Sequence, residues 1–205
     1  MRARAPSLMP MRVLVIHCHP VADSFSAALR DAACDGARAG GHDVRVIDLS
    51  VENFTAVMSA EELRSYKAVS SEVGDDITAH IDAVRWAEAL VFVYPTWWST
   101  LPAQLKGWLE RVMRPGVAFV FDQKNKVRPG LRNVRRIVGI TTYGSKWLYV
   151  KLMKDAGRRT LLRALRLNTS WRTKSTWIPL YGIDGASDSE RSAFLNLVRK
   201  KMEQL

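Results

Sequence analysis

The chain reads as an α/β protein: a parallel sheet of five strands with helices packed on both faces, in three layers. Two observations predict this. Apolar runs rich in β-branched residues, such as Leu90–Val93, show no polar alternation, as expected of strands covered on both sides. Between them lie stretches whose apolar residues recur at helical spacing, so strands and helices alternate along the chain. With 205 residues and 47% hydrophobic content, a substantial core can form, and one domain over residues 11–205 accounts for it. Residues 1–10, with Arg2, Arg4, Pro6 and Pro10 and no apolar run, read as a flexible tail rather than a secretory leader, with Met11 an alternative start.

Met11–His17 is the first strand, and a loop over residues 18–24 leads from it into a helix whose inner face is Phe25, Ala28, Leu29, Ala32, Ala33 and Gly36. Gly40-Gly41 ends that helix, and Val44–Leu49 is the second strand. Ser59-Ala60-Glu61-Glu62 has the capping-box pattern of a short helix, and a further helix spans roughly Ile77–Ala87. Leu90–Val93 is the third strand, stopped by Pro95. Pro102 opens the next helix, along which Leu105, Trp108, Leu109 and Val112 recur at helical spacing. Val117–Phe121 is a short apolar piece outside the main sheet, and Arg128-Pro129-Gly130 reads as a turn. Arg136–Thr142 is the fourth strand, Leu148–Leu167 a basic and mostly helical stretch, and Thr176–Leu180 a fifth strand whose Pro179 marks an edge. Ser187-Asp188-Ser189-Glu190 caps a last helix with Phe194, Leu197, Val198 and Met202 facing inward.

The formal charge of +11 is regional. Residues 124–174 hold 15 Lys or Arg against one acid, giving +14, and the remainder holds 16 against 19, giving −3. Such a face attracts phosphorylated ligands or an anionic membrane surface, or simply keeps the protein soluble. No nucleic-acid recognition motif accompanies it, so a nucleic-acid partner is not expected. Two cysteines, Cys18 and Cys34, are too few for a disulfide framework, which makes a cytoplasmic location the default. His17 and His19 flank Cys18 without a nearby carboxylate in the sequence, and no metal site is expected there.

In a parallel α/β sheet ligands sit beyond the carboxyl ends of the strands, where strand order reverses. Three loops emerge there. Residues 19–24 lead into a helix amino terminus with Ser24 and Ser26, suited to a phosphate. Residues 95–101 carry Trp97 and Trp98, suited to flanking a flat heteroaromatic ring. Residues 142–145 offer hydroxyls and Gly144, suited to hydrogen bonding along the edge of such a ring.

These residues resemble the NAD(P)H:quinone oxidoreductases (DT-diaphorase-like) of the flavodoxin-like superfamily. The resemblance rests on His19-Pro20-x-x-x-Ser24-Phe25-Ser26, on Tyr94-Pro95-x-x-Trp98 with Leu101-Pro102-Ala103-x-Leu105-Lys106-Gly107-Trp108 and Glu110-Arg111-Val112, and on Thr141-Thr142-x-Gly144. It implies a flavodoxin-like fold and a homodimer with a flavin at each subunit interface, reduced by NADPH or NADH. His19, Ser24, Phe25 and Ser26 would then contact the flavin's phosphate and ribityl chain. Pro95, Thr96, Trp97 and Trp98 would line one side of its ring, and Thr141, Thr142, Tyr143 and Gly144 the polar edge. A tyrosine and a histidine that follow this loop in the family correspond here to Tyr149 and to a position at or near Asp155, so the catalytic pair becomes Tyr149 and Asp155, with Lys146, Lys151 or Tyr143 as substitutes. The short segment between Asn53-Phe54 and Tyr94-Pro95 favours FMN over FAD.

The resemblance implies a relay in which NAD(P)H reduces the flavin and a quinone or other electron-poor aromatic takes the hydride. A different class of protein shares these features: a flavin-binding accessory subunit of a membrane ion-efflux system, docked on the membrane or its partner through residues 124–174. Individual residues also have plainer readings. Trp108 is expected in the core, and Cys18 as a buried small residue.

Overall fold

A computed structural model describes residues 9–66 and 75–205. Residues 1–8 of the expected tail lie outside the described residues. The main sheet is made of β1 (Arg12–His17), β2 (Asp43–Asp48), β3 (Ala89–Pro95), β6 (Arg136–Tyr143) and β7 (Lys174–Tyr181), all parallel, in the order β2-β1-β3-β6-β7. A small antiparallel pair, β4 (Phe119–Phe121) with β5 (Val127–Pro129), stands apart. The helices are α1 (Phe25–Ala39), α2 (Ala60–Ser65), α3 (Asp75–Trp86), α4 (Ala103–Val112), α5 (Trp147–Leu152), α6 (Ala156–Arg159) and α7 (Asp188–Glu203).

Period-2 alternation sorts each central strand between two cores. Val13 and Val15 of β1, with Val91 and Val93 of β3, face a core closed by Leu29, Ala32 and Ala33 of α1 and Phe194, Val198 and Met202 of α7. Leu14, Ile16, Leu90 and Phe92 face the opposite core, closed by Ile77, Ile81 and Val84 of α3 and Leu105, Trp108 and Val112 of α4. This is the three-layer arrangement expected from the unbroken apolar runs. Where α1 crosses α7, a Cβ on Gly36 would stand 2.2 Å from the Arg199 carbonyl oxygen, and one on Gly40 2.6 Å from that of Glu203. The two backbones therefore touch through glycines. Trp108 lies in the core as expected, its indole N–H donating to His80 Nδ1 at 3.3 Å. Among the described residues no helix is long and apolar enough to cross a membrane.

Four local expectations are corrected. Arg128-Pro129 belongs to β5 rather than to a turn. The reversal lies at Asp122–Asn125, where the Asp122 carboxylate accepts from the backbone N–H of Lys124 and Lys126 and from the Arg128 guanidinium. The basic stretch over residues 148–167 is not one helix. Lys154 and Asp155 adopt φ of 59° and 39°, which breaks it after α5. It resumes as α6, six residues of π-helix over Thr160–Leu165 and a 3-10 turn over Arg166–Asn168. Ser59 caps α2, yet Glu62 does not complete a capping box; its carboxylate pairs with Arg111 at 2.8 Å. Leu197 is 44% exposed, because the buried stripe of α7 advances by four through Phe194, Val198 and Met202 and leaves position 197 beside it.

Candidate functional site

Strand order reverses between β1 and β3, the neighbours at the middle of the sheet whose following helices lie on opposite faces. The three chemically distinctive loops emerge beside this point, after β1, β3 and β6. Thr96 N–H donates to the Thr142 carbonyl at 2.8 Å, and the Thr96 and Thr141 hydroxyls are 2.9 Å apart. The second and third loops are thus fastened together at their roots.

The aromatic loop is a tight turn. Trp97 and Thr100 exchange backbone hydrogen bonds at 3.2 and 3.0 Å, with Trp98 and Ser99 at φ 50° and 59° between them. Two successive positive φ values define the geometry usually made by Asn-Gly, and large side chains adopt it at a cost of about 1–2 kcal/mol each. The turn drives Trp98 outward until 98% of it is exposed, whereas Trp97, 46% exposed, lies beside the His19 ring at 6.0 Å between centroids. Below the turn, Gln104 of α4 donates to the carbonyls of Leu49 and Phe54 and accepts from the Ser50 hydroxyl at 3.1 Å. The Cys18 thiol lies 3.7 Å from the same side-chain oxygen. Burial pushes that thiol up to about 11, so it stays a neutral packing group.

A cavity of about 250 Å³ opens between the second and third loops. Of the expected site residues, Thr96, Trp98, Tyr143, Gly144, Tyr149 and Asp155 line it. Tyr149 presents an exposed ring. Thr141 and Thr142 are buried behind the rim, the former buttressing Thr96, and Pro95 is buried as the last residue of β3. Ser145, in the third loop as expected, lines it too, and Ser99, Val150 and Met153, which sequence reasoning did not single out, complete the lining. Nothing in the sequence announced Ser99, because its turn contains no glycine. Tyr181, also missed, stacks on Tyr143 at 4.9 Å and 18°.

Two groups organise the electrostatics of this edge. The Tyr143 hydroxyl donates to Asp155 Oδ2 at 2.7 Å. Burial first, then the neighbouring carboxylate, raises the Tyr143 phenol far above its ordinary range, so it remains a proton donor. Asp155 Oδ1 accepts from Arg158 N–H and caps α6. On the other flank, Ser24 caps α1 by accepting from Ala27 N–H at 3.2 Å, and the first turn of α1 contains no acid. Phe25 is half-buried there. His19 is half-exposed, with Nδ1 accepting from Val21 N–H at 3.1 Å. Ser26 turns inward, buried, with its hydroxyl 3.3 Å from His17 Nε2, while His17 Nδ1 meets Asp48 Oδ2 at 2.8 Å. Arg30 and the backbone N–H groups of Ser50 and Val51 also hold the Asp48 carboxylate, whose ionised form is favoured. Burial keeps His17 neutral. Among the described residues no group of His, Cys, Asp and Glu is arranged to hold a metal ion.

The chain belongs to the family described as having the flavodoxin-like fold, whose model matches residues 11–205. Within that family its similarity runs to the NAD(P)H:quinone oxidoreductases. NAD(P)H dehydrogenase (quinone) 1 of Cavia porcellus is 31% identical over 153 residues, covering 67% of this chain and 55% of the relative. Ribosyldihydronicotinamide dehydrogenase (quinone) of Homo sapiens is 29% identical over 174 residues, covering 77% and 74%. The chain thus spans about half the length of the first relative and about three quarters of the second. The solved structure of the NAD(P)H:quinone oxidoreductase from Methanothermobacter marburgensis superposes with a TM-score of 0.82 at 26% identity, covering 95% of this chain and 98% of that one.

Proposed function

We propose that the chain is a flavin-dependent NAD(P)H oxidoreductase that passes a hydride to a quinone or a similar electron-poor aromatic, with FMN as the flavin and a second copy of the chain covering each site. One observation carries the reading: a solvent-facing tryptophan, a rim of hydroxyls and glycine, and a helix whose first turn contains no acid stand together beside the switch point of the sheet. The names of the quinone-reducing relatives support the acceptor class.

The residues fit a flavin. The indole of Trp98 offers an apolar face almost wholly open to solvent, which a flat ring would cover. Thr96 and Gly144 stand at the polar rim of the cavity, with Thr141 and Thr142 fixing the rim from behind. The N–H groups of Phe25 and Ser26 precede the first intrahelical bond of α1, from Ala28 N–H to the Ser24 carbonyl, so with Ser24 and His19 they suit a phosphate. FMN is favoured by the short connection between Phe54 and Tyr94. Beside the cavity, Trp147, Leu148, Leu152 and Met153 expose apolar surface, which supports a covering second subunit.

A bound flavin supplies the two-electron chemistry. The chain would position flat molecules against Trp98, lines the cavity with the apolar side chains of Val150 and Met153, and holds a proton at the Tyr143 hydroxyl. Asp155, at the position expected for a histidine, is engaged by Tyr143 and by the α6 cap, and in this reading orients that hydroxyl.

Purification without added cofactor, a visible spectrum, identification of the released flavin and anaerobic addition of NADH and NADPH test the reading. A yellow protein bleached by a nicotinamide and reoxidised by a quinone is the expected result. Protein that takes up neither flavin excludes it.

A further inference from the structure

A strongly charged hollow adjoins the cavity and plays no part in the reading above. A cleft of about 560 Å³ is lined by Lys151 and Lys154 on one wall and by Arg158, Arg159 and Arg163 on the other. Its one acid is Asp155, whose two oxygens are already engaged by the Tyr143 hydroxyl and Arg158 N–H. The basic segment does contain ion pairs, Arg128 with Asp122 and Arg135 with Glu88, but they lie elsewhere. Among the described residues, the ion pairs with carboxylates include none of the five cations of the cleft.

Consecutive left-handed residues, Lys154 and Asp155, break the helical stretch between Lys151 of α5 and the arginines that follow, and residues on both sides of the break line the cleft. The Lys151 ammonium lies over the Trp147 ring, 4.8 Å from its centroid. The π-helix over Thr160–Leu165 widens the next turn, and Arg158, Arg159 and Arg163 all reach the same hollow. Side chains that would repel one another are converged on an open space, an arrangement that an anion stabilises.

Asp155 lines both the cavity and the cleft, so the two hollows meet at one residue. At about 1.5 Å per residue, Arg159 stands roughly 6 Å along α6 from Asp155, with Arg163 one turn further on. A dinucleotide with its nicotinamide ring in the cavity would be long enough to reach these arginines with its adenosine half. The two nicotinamide reductants differ there in a single group: a phosphate on the 2′ oxygen of NADPH, where NADH carries a hydroxyl. A phosphate offers two negative charges and several acceptor oxygens to guanidinium forks, and a hydroxyl offers neither.

We propose that this cleft seats the 2′-phosphate of NADPH and makes NADPH the preferred reductant. The inference rests on the oxidoreductase reading and adds its specificity.

Calorimetric titration of the flavin-loaded protein with 2′,5′-ADP and with 5′-AMP tests it. Binding of 2′,5′-ADP at least about tenfold tighter is expected, the scale of one or two charge-assisted hydrogen bonds. Arg159→Gln with Arg163→Gln, both exposed positions, is expected to bring the ratio close to one and to raise KM for NADPH about tenfold more than KM for NADH. Lys151→Gln with Lys154→Gln on the opposite wall checks the same cleft independently of the helical stretch. Protein that loads flavin but binds the two nucleotides equally, or keeps its preference in both double variants, overturns the assignment and leaves the oxidoreductase reading intact. Protein that loads no flavin overturns that reading first, a result read from absorbance alone. Cosedimentation with phosphatidylglycerol vesicles that both double variants abolish, without nucleotide preference, overturns the assignment in favour of a lipid surface.

Discussion

The Tyr143 hydroxyl donates a hydrogen bond to the Asp155 carboxylate across 2.7 Å, joining the end of β6 to the left-handed corner before α6. The pair places a carboxylate and its hydroxyl donor at the wall of the cavity. A bound flavin would gain negative charge on reduction, which a carboxylate without a hydrogen-bond donor would oppose. Asp155→Asn is therefore expected to speed anaerobic flavin reduction severalfold at saturating reductant, since the amide keeps an oxygen for the α6 cap. Tyr143→Phe, which leaves the carboxylate without its donor, is expected to slow reduction about tenfold. Stopped-flow absorbance measures both, and an unchanged rate in Asp155→Asn removes that residue from the mechanism.

Trp98 and Trp108 are expected to separate binding from folding. Trp98→Gly removes a fully exposed ring and relaxes a positive φ, so stability is expected to hold or rise by about 1 kcal/mol while flavin affinity falls at least about tenfold. Trp108→Ala empties a buried site packed on Phe92 and is expected to cost about 3–5 kcal/mol. Thermal melts of flavin-free protein, with and without added FMN, distinguish the two.

Three buried histidines make the fold acid-sensitive. Burial holds His17, His42 and His80 below their ordinary value of 6.5. The unfolded chain therefore binds protons first as pH falls. The stability of the neutral rings is fully present above 6.5 and declines from there down towards the depressed folded values. Urea midpoints are expected to drop between pH 7.5 and 5.5. Asp48, held ionised, extends the loss to lower pH, below its ordinary 3.8. His17→Asn is expected to flatten the upper part of the profile.

Gly36→Ala is expected to destabilise the protein by about 1–3 kcal/mol, because the added methyl meets the α7 backbone at 2.2 Å and one helix must move. Gly185→Ala, whose Cβ meets nothing within 4 Å, is the control. Differential scanning calorimetry reports both.

The sheet, its five parallel strands and the helices on either face were legible in the sequence, because strands buried on both faces leave unbroken apolar runs and helices leave a stripe. The Pro179 edge and the Ser187 capping box were legible for the same reason: each is a local steric or hydrogen-bonding rule. Loops at the carboxyl edge could be listed as partners from topology alone. What they do to one another could not. The Trp97–Thr100 turn carries positive φ without glycine, so no local propensity announces it. The break at Lys154–Asp155 interrupts a pattern that reads as continuous helix, and the pairing of Tyr143 with Asp155 joins residues that no periodicity relates. Local chain physics determined the scaffold. Only tertiary packing, which stabilises strained backbone that isolated residues avoid, decided where Trp98 points and which side of the site the arginines face.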